Sequence, residues 1–284
     1  MTQDINTLVQ TAAQLRGRII EHSGRTKTPH LGSCLSCADI LSVYYFNILN
    51  IDPQNPEDEN RDRFILSKGH AAPAIFQTLA LKGFFPYQSL LDSRHDGTDY
   101  FGEHPPSPGH IPGIEAATGS LGHGFPMAVG MAIAAKTKGQ SHRIDVILGD
   151  GECNEGSIWE AAMLTGAQKL DNLTIVVDFN KWQATDRSRE VLALDPLVDK
   201  WTSFGWDACE IDGHDIVEIQ KTLSTPHTGK PKAIIAHTVK GKGVSFMEDD
   251  NNWHYRTPTP EEVQTSYKEL GLNEQGLPQQ GEAA

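Results

Sequence analysis

The feature that most constrains the fold is a pair of short apolar runs, each followed closely by polar residues. The first run, residues 146–148, leads into Gly149–Asp150–Gly151, and the second, residues 173–177, leads to Asn180. A segment with the composition of a helix, residues 155–168, lies between the two runs. Because a crossover helix returns the chain in the same direction, the runs are predicted to be parallel strands that end side by side.

Asp150 and Asn180 are therefore expected to meet at the carboxyl edge of a parallel sheet, where open α/β sheets bind ligands. A carboxylate and an amide oxygen are hard ligands that suit Mg²⁺ holding a diphosphate. Gly151 and Gly156 would let backbone N–H groups approach the phosphate oxygens. The alternative is a plain strand-to-helix turn in which Asp150 caps the helix, but the asparagine after a second buried strand favours the metal site.

Strand-like and helix-like patterns alternate along most of the chain. Apart from these, residues 121–137 form a helix of small residues that is expected to pack closely against another element or a second protomer. The alternation predicts an α/β fold, a doubly wound and mostly parallel sheet flanked by helices. No repeat or linker divides the chain, so residues 1–270 are predicted to be one domain and residues 271–284 a polar, frayed tail.

Charge and composition exclude several classes of partner. The formal net charge of −13 argues against nucleic acid or an anionic membrane as the main partner. No apolar run is long enough to cross a bilayer and no secretory signal is evident, so the protein is predicted to be cytoplasmic. Cys34 and Cys37 have no second pair to complete a zinc site, and they are interpreted as buried small residues.

Four histidines lie where loops should converge on the strand ends. An imidazole can donate a hydrogen bond to phosphate or hydroxyl oxygens and can move protons near neutral pH. For any one of them alone, a surface or capping role is the simpler interpretation, and no pair has the spacing of helical zinc ligands. His214 is expected to cap the helix that follows it. The four candidates are His30, His70, His104 and His254.

Two loops have compositions that suggest a function. Residues 92–117 are rich in glycine, proline, histidine and aspartate, and loops this long within a domain are usually functional or disordered. Lys240–Gly241–Lys242–Gly243 follows a predicted strand. It is either a flexible basic turn or a mobile loop that closes over a charged substrate, and the sequence favours neither.

The sequence resembles the thiamine diphosphate enzymes, specifically the N-terminal half of transketolase, from about residue 10 to residue 258. The glycine motif alone would not separate transketolases from 2-oxo acid dehydrogenases, whereas the segments at 67–70 and 118–124 do. The matching segments are residues 29–32 (PHLG), 62–70 (DRFILSKGH), 102–105 (GEHP), 118–124 (TGSLGHG), 149–152 (GDGE), 212–215 (DGHD) and 236–243 (AHTVKGKG).

The resemblance implies one subunit of a split transketolase. In that family a diphosphate-binding domain precedes a pyrimidine-binding domain, and this chain resembles only the first. It would transfer a two-carbon ketol unit from a ketose or ketose phosphate to an aldose or aldose phosphate. A C-terminal pyrimidine-binding subunit would be needed for activity, in an expected α₂β₂ assembly. That partner would supply the glutamate that activates the cofactor and most of the arginines that hold the sugar phosphate.

The resemblance also implies individual ligands for thiamine diphosphate and Mg²⁺. The side chains of Asp150 and Asn180 and the backbone carbonyl of Trp182 would bind Mg²⁺, which Ca²⁺ or Mn²⁺ can replace. Cofactor contacts are also expected from two glycines and two histidines. These cofactor-binding residues are Gly122, Gly151, His70 and His254.

Catalytic roles follow from the same resemblance. His30, His104 and His254 would face the substrate hydroxyls, and His30 and His254 would stabilise developing oxyanions and move protons. Glu155 and Glu160 match acidic positions that link paired active sites across a dimer. Both glutamates are therefore counted as catalytic candidates, although exposed helix glutamates are common.

Some positions depart from the family pattern. Transketolases often have glutamine where this chain has His123, and Trp182 lies in a turn that usually contains more glycine. The loop at 92–112 does not align cleanly, so the sugar substrate stays open among pentose phosphates, branched sugars and sulfonated sugars. Two rival hypotheses also stay open: a fragment similar to 1-deoxyxylulose-5-phosphate synthase, and a non-catalytic scaffold subunit.

Overall fold

One five-stranded sheet organises the part of the chain that the structure, a computed structural model, describes: residues 3–93 and 101–279. All neighbouring strands are parallel, in the order β1–β2–β3–β5–β4. The α/β class and the parallel sheet predicted from the sequence are confirmed. The strands are β1 Arg63–Leu66, β2 Ile144–Gly149, β3 Leu173–Phe179, β4 Asp207–Asp212 and β5 Lys232–His237.

Helices cover both faces of the sheet and fill the crossovers between strands. None of the described helices is long and apolar enough to span a membrane. The α-helices are α1 Ile5–Thr26, α2 Leu31–Ser36, α3 Ala38–Val43, α4 Ala72–Lys82, α5 Tyr87–Leu91, α6 Gly124–Thr137, α7 Gly156–Ala167, α8 Ser188–Val191, α9 Leu197–Ser203, α10 Ile216–Ser224 and α11 Pro260–Glu269.

Two separate apolar cores lie on opposite faces of the sheet. Successive side chains of a strand point to opposite faces, and β3 shows this directly. Ile175 and Val177 belong to the core shared with α6, α7 and α9, whereas Val176 belongs to the core shared with α1, α3, α4, α10 and α11. Every residue of β3 is buried, which explains why apolar residues such as Ile175, Val176 and Val177 follow one another instead of alternating with polar ones.

The register of β2 and β3 places the two predicted ligand positions together. Gly149, the last residue of β2, pairs with Asp178 in β3. Asp150 and Asn180 therefore leave the sheet at the same edge, and the backbone N–H of Lys181 donates to Asp150 Oδ2 at 2.9 Å. The prediction that the two strand ends lie side by side is confirmed.

The helices near the N-terminus differ from the prediction. The pattern of apolar residues predicts a single helix from about Ser36 to Leu49, but α2 begins at Leu31, before that segment. The backbone at Cys37 (φ −96°, ψ 8°) leaves the helical region and divides α2 from α3. A π-helical turn, Tyr44–Ile48, then replaces the last predicted turns.

Cys34 and Cys37 are both buried and unbonded, as their interpretation as small core residues required. Burial raises the pKa of the Cys34 thiol to about 12 and that of Cys37 to about 11. A thiol that stays protonated is a poor nucleophile and a poor metal ligand. The pair therefore contributes packing rather than chemistry.

The C-terminal segment is more closely attached than the predicted frayed tail. Leu272 is 2% exposed and rests on α1, where a β-carbon at Gly17 would lie 2.4 Å from Leu272 Cδ1. A turn then brings Pro278 back beside Leu272. Composition alone predicted fraying because this segment is mostly polar, and the buried Leu272 is what attaches it. Residues 280–284 lie outside the described part of the chain.

Candidate active site

A cavity of about 370 Å³ opens at the carboxyl edge of the sheet, where the loops after β1, β2 and β3 converge. It collects most of the residues that the sequence singled out. Loop residues from the segment after β5 close another side, including the exposed Tyr255. The predicted site residues that line the cavity are His30, His70, Asp150, Gly151, Asn180, Trp182 and His254.

Asp150 forms the centre of one wall. Its carboxylate accepts hydrogen bonds from the N–H groups of Gly151 and Lys181, both at 2.9 Å, and from Ser188 Oγ at 2.7 Å. The residue is 2% exposed, and burial raises the pKa of its carboxyl to about 6. Within the described ranges no cationic side chain forms an ion pair with it. A buried carboxylate without a cationic partner suits a divalent cation.

Asn180 supplies the second oxygen on this wall. It is buried, and its Oδ1 accepts the N–H of Trp182 at 3.1 Å, which leaves a second lone pair on the same oxygen. The described residues contain no cluster of three or more His, Cys, Asp or Glu side chains that could hold a metal. A site built from one carboxylate, one amide and one backbone carbonyl needs no such cluster, so these residues fit a magnesium ion held together with a diphosphate.

A buried ion pair lies beneath this wall. Lys68 Nζ contacts the Asp178 carboxylate and donates to the Ser33 carbonyl at 2.8 Å. Burial alone would lower the pKa of Lys68, but the Asp178 carboxylate outweighs it and the pKa is raised. Ser36 and Thr238 also donate to Asp178. The lysine therefore stays charged, and it presents a fixed positive charge to the cavity that it lines.

Glu152, which sequence reasoning missed, organises the glycine loops. It is 1% exposed and accepts hydrogen bonds from Ser67 Oγ at 2.5 Å and from the Gly122 N–H at 3.0 Å. Gly122 has φ 80°, and a β-carbon there would lie 2.4 Å from Ser157 Oγ. Its N–H is already occupied and only its neighbour Leu121 lines the cavity. A direct cofactor contact of Gly122 stays a prediction.

Three histidines, His30, His70 and His254, form a second wall of this cavity, and His104, which does not line it, joins their chain of edge-to-face ring contacts. The ring of His30 lies 4.8 Å from His70 and 4.9 Å from His254, and His70 lies 4.6 Å from His104. The backbone N–H of His30 also donates to the His254 carbonyl at 2.7 Å. Residues more than 200 positions apart are thereby brought together, as was expected of these loops.

His30 and His254 are uncharged at neutral pH. Burial, followed by the neighbouring His70, lowers the pKa of His30 to about 4. Burial, followed by the charge of Lys240, lowers the pKa of His254 to about 3. In the described part of the chain, the buried Nδ1 of His30 and Nε2 of His104 have no hydrogen-bond partner. Such atoms are costly unless a ligand completes them.

Lys240 is a site residue that the sequence suggested would lie in an exposed turn or a mobile loop. The structure buries it completely, and a β-carbon at Gly32 would lie 2.9 Å from its side chain. Burial lowers the pKa of Lys240 to about 8. Its Nζ donates to Asn251 Oδ1 at 2.6 Å and contacts His254 Nδ1 at 3.1 Å. Sequence alone offers no pattern that brings Gly32 and Lys240 together.

The remaining candidates lie outside the cavity. Glu155 and Glu160 are exposed at the start and on the surface of α7, and His123 is exposed at the start of α6. His123 Nδ1 contacts the Leu121 carbonyl at 3.1 Å. Their predicted roles do not depend on this cavity wall, so they stay predictions. Residues 94–100 of the loop predicted at 92–117 lie outside the described residues.

His214 does not cap α10, so that prediction is wrong. Asp215 is the cap, because its side chain accepts the N–H groups of Val217 and Glu218. His214 turns inward instead: its Nδ1 lies 2.7 Å from Asp39 Oδ2, and its Nε2 accepts the Val239 N–H at 2.8 Å. Two adjacent residues could both cap by composition, and only the loop geometry separates them.

The sequence is similar to those of known proteins. Residues 8–280 match the family described as "Transketolase, thiamine diphosphate binding domain". The chain is 40% identical over 268 residues to an apulose-4-phosphate transketolase subunit of Phocaeicola vulgatus, covering 94% of each chain. It is 40% identical over 277 residues to the 6-deoxy-6-sulfo-D-fructose transketolase subunit SqwG of Clostridium sp. (strain MSTE9), covering 95% of this chain and 98% of that one.

The fold is also similar to that of a longer protein. The crystal structure of transketolase from Campylobacter jejuni subsp. jejuni NCTC 11168 superposes with a TM-score of 0.85 at 29% sequence identity. The match covers 95% of this chain but 44% of that one. The chain therefore has nearly the full length of the two subunit relatives and spans less than half of this transketolase.

Proposed function

Because the chain belongs to the transketolase family, in its thiamine diphosphate binding domain, we propose that it is the diphosphate-binding subunit of a split transketolase. It would transfer a two-carbon ketol unit between sugars or sugar phosphates, with thiamine diphosphate and Mg²⁺. The same-length relatives that are named as transketolase subunits support this proposal. So does the cavity that is lined both by residues at the ends of β2 and β3 and by three histidines, His30, His70 and His254.

The observation that carries the proposal is the contrast in charge across one cavity. Asp150 and Asn180 offer hard oxygen ligands on one side, and neutral imidazoles face them on the other. The first set suits a divalent cation and its diphosphate. The second set suits hydroxyl groups and developing oxyanions, because the N–H of a neutral imidazole can donate a hydrogen bond to such oxygens.

The residues of this chain would bind and orient, while thiamine diphosphate supplies the carbanion chemistry when it is bound. Lys240, with a pKa of about 8, is protonated at pH 7 and can only donate, so His254 Nδ1 must accept from it. The proton of the neutral His254 ring therefore sits on Nε2. That N–H can donate to a substrate oxygen. His30, whose Nδ1 lacks a partner, is placed beside it for the same task.

We further propose that the partner is a C-terminal pyrimidine-binding subunit, in an α₂β₂ complex. The surface available for assembly includes α6 and α7, on which several large apolar side chains are exposed. Glu155 and Glu160 lie on the same region of α7 or directly before it, which agrees with a role between paired sites. The exposed apolar residues are Met127, Ile133, Met163 and Leu164.

Reconstitution tests the proposal. The chain and a candidate pyrimidine-domain protein, for example one encoded by a neighbouring reading frame, are purified separately and together with thiamine diphosphate and Mg²⁺. Ketol transfer from a ketose phosphate to an aldose phosphate is expected only from the mixture. Activity of this chain alone would contradict the split enzyme. A requirement for pyruvate as donor would indicate the synthase-like alternative, and cofactor binding without turnover in the complex would indicate a scaffold.

A further inference from the structure

Two loops meet at one side of the cavity mouth. The first, residues 180–188, follows β3 and contains Asn180 and Trp182. The second, residues 238–255, follows β5 and ends at His254 and Tyr255. Each loop has a non-glycine residue in the left-handed region, which side chains seldom adopt and which neighbouring contacts must hold in place. In the first loop this is Lys181 (φ 71°), and in the second it is Asp249 (φ 59°).

Three side chains connect the loops through one carboxylate. Arg187 donates to both oxygens of Asp249, each at 2.6 Å. The indole N–H of Trp182 donates to Asp249 Oδ1 at 2.8 Å. The Arg187 guanidinium also lies 3.8 Å from the centre of the Trp182 ring. We call Trp182, Arg187 and Asp249 the clasp.

The geometry of the clasp makes it stronger than an ordinary surface ion pair. The side chains of Arg187 and Asp249 are 33% and 53% exposed, and a single exposed pair contributes little to stability. Here a bidentate pair, a cation–π contact and an indole hydrogen bond converge on the same three residues. Each restricts the geometry of the others, because the ring and the guanidinium share one carboxylate.

On the β3 side, the clasp is directly attached to the wall that contains Asp150 and Asn180, which we call the metal wall after the Mg²⁺ site proposed there. The Trp182 N–H donates to Asn180 Oδ1, the Lys181 N–H donates to Asp150 Oδ2, and the Ser188 N–H donates back to the Lys181 carbonyl. Moving Trp182 therefore disturbs both predicted metal ligands. The Trp182 backbone itself is the third predicted ligand.

On the β5 side, the clasp leads within five residues to the histidine wall. The Asp249 N–H donates to the Lys240 carbonyl at 2.8 Å, and the Asp250 side chain caps the short helix Asn251–His254. The Lys240 ammonium donates a hydrogen bond to Asn251 Oδ1, and Asn251 Nδ2 donates to the Ala184 carbonyl at 3.1 Å. The second contact between the loops thus involves the same lysine that contacts His254.

We propose that Trp182, Arg187 and Asp249 are positioning residues that couple the metal-binding loop to the segment that carries His254. Through the clasp, binding of the metal and diphosphate would fix the position of the His254 ring. This coupling role rests on the proposed function, whereas the mechanical link between the two loops does not.

Hydrogen exchange measured by mass spectrometry on the full-length chain tests the link without any ligand. Both loops contain backbone N–H groups that are hydrogen-bonded, so both report opening. Arg187→Ala is expected to speed exchange in residues 249–255 by roughly tenfold, and Asp249→Asn is expected to do the same in residues 181–188. The double variant should add little to either single variant, because both remove one shared interaction.

Matched variants separate the clasp from general loosening. Arg189→Ala removes an exposed arginine that pairs only with its neighbour Glu190 among the described contacts. It should change exchange neither in residues 181–188 nor in residues 249–255. Arg187→Lys and Trp182→Phe should give smaller increases in both loops, because each retains part of the clasp. An increase confined to the mutated loop, additive effects in the double variant, or no change in any variant would overturn the link.

A second arm tests the coupling with thiamine diphosphate and Mg²⁺. In the wild-type chain the cofactor should slow exchange in both loops. In Arg187→Ala it should slow exchange in residues 181–188 as in the wild type but slow residues 249–255 less, because only the direct contact at His254 would remain. Slowing of residues 249–255 as large as in the wild type would contradict the coupling. If the wild-type chain does not bind thiamine diphosphate, the proposed function fails, while the ligand-free arm still decides whether the clasp joins the loops.

Discussion

The two walls of the cavity are prepared for ligands in opposite ways. On the wall at the ends of β2 and β3, the Asp150 carboxylate holds three hydrogen bonds and the Lys68–Asp178 pair beneath it is buried. On the side of the histidines, buried ring nitrogens of His30 and His104 have no partner within the described ranges. Hydrogen bonds within the protein already hold the oxygen ligands of the first wall in place, whereas two ring nitrogens among these histidines have no such partners in the described part of the chain.

This difference indicates that the two walls have different roles, one in cofactor binding and the other in turnover. A preorganised set of oxygen ligands binds a cation and a diphosphate with little rearrangement, which favours tight and lasting occupancy. Unpartnered neutral imidazoles are better suited to a group that comes and goes, such as a sugar hydroxyl or a transient oxyanion. Substitutions on the first wall should therefore affect cofactor binding and stability, and substitutions on the second should affect turnover.

The largest expected effect is on the metal wall. Asp150→Ala should reduce Mg²⁺-dependent binding of thiamine diphosphate below detection in calorimetry, because it removes the one carboxylate predicted to hold the metal. Asp150→Asn, which has the size but not the charge, should behave similarly. Asp171→Ala, an exposed aspartate just before β3, serves as the control. Undiminished binding by both Asp150 variants would remove the distinction between the walls.

His30→Ala tests the other wall. It should lower the turnover of the reconstituted complex by roughly 100- to 10,000-fold, the usual range for a proton-transferring side chain, while cofactor affinity changes far less. Steady-state kinetics and cofactor titration on the same sample separate the two effects. His110→Ala, at an exposed histidine that contacts only the Ser107 carbonyl in the described structure, should leave both values unchanged. A loss of cofactor affinity as large as the loss of turnover would show that the two walls do not have separate roles.

The buried ion pair gives the metal wall its rigidity. Lys68→Met should lower the free energy of unfolding by about 3–5 kcal/mol, because Asp178 would stay buried without its cation. The matched control is Lys136→Met, whose partner Asp171 is exposed, and it should cost no more than about 1 kcal/mol. Chemical denaturation measures both. Equal losses would show that burial of the first pair has no special weight.

The histidine wall predicts a pH dependence of stability. The folded-state pKa values of His30 and His254, about 4 and about 3, lie below the ordinary value of 6.5. As the pH falls, the unfolded chain therefore takes up protons before the folded chain does. The contribution of these histidines to the free energy of unfolding is fully present above pH 6.5. Below it, this contribution declines by up to roughly 1.4 kcal/mol per pH unit for each histidine. Denaturation between pH 4 and 7 should show a shallower decline in His30→Asn. An unchanged slope would mean that folding does not lower the pKa of His30.

How much the sequence could predict depended on whether a residue's role was local. Asp150, Asn180 and the strands before them were predictable, because apolar runs and a crossover helix fix which strand ends adjoin. Lys240 and Glu152 were not, because their burial depends on distant partners such as Gly32 and Gly122. His214 and Asp215 show the limit most clearly, since either residue type can cap a helix and only the surrounding loops decide which one turns inward.

A crystal of the full-length chain grown with thiamine diphosphate and Mn²⁺ in place of Mg²⁺ tests the central claim most directly. Anomalous scattering should place one Mn²⁺ ion between the side-chain oxygens of Asp150 and Asn180, with the diphosphate on its far side and the His30 and His254 rings across the cavity. An ion located elsewhere, or a cofactor bound without contact to either side chain, would contradict the account.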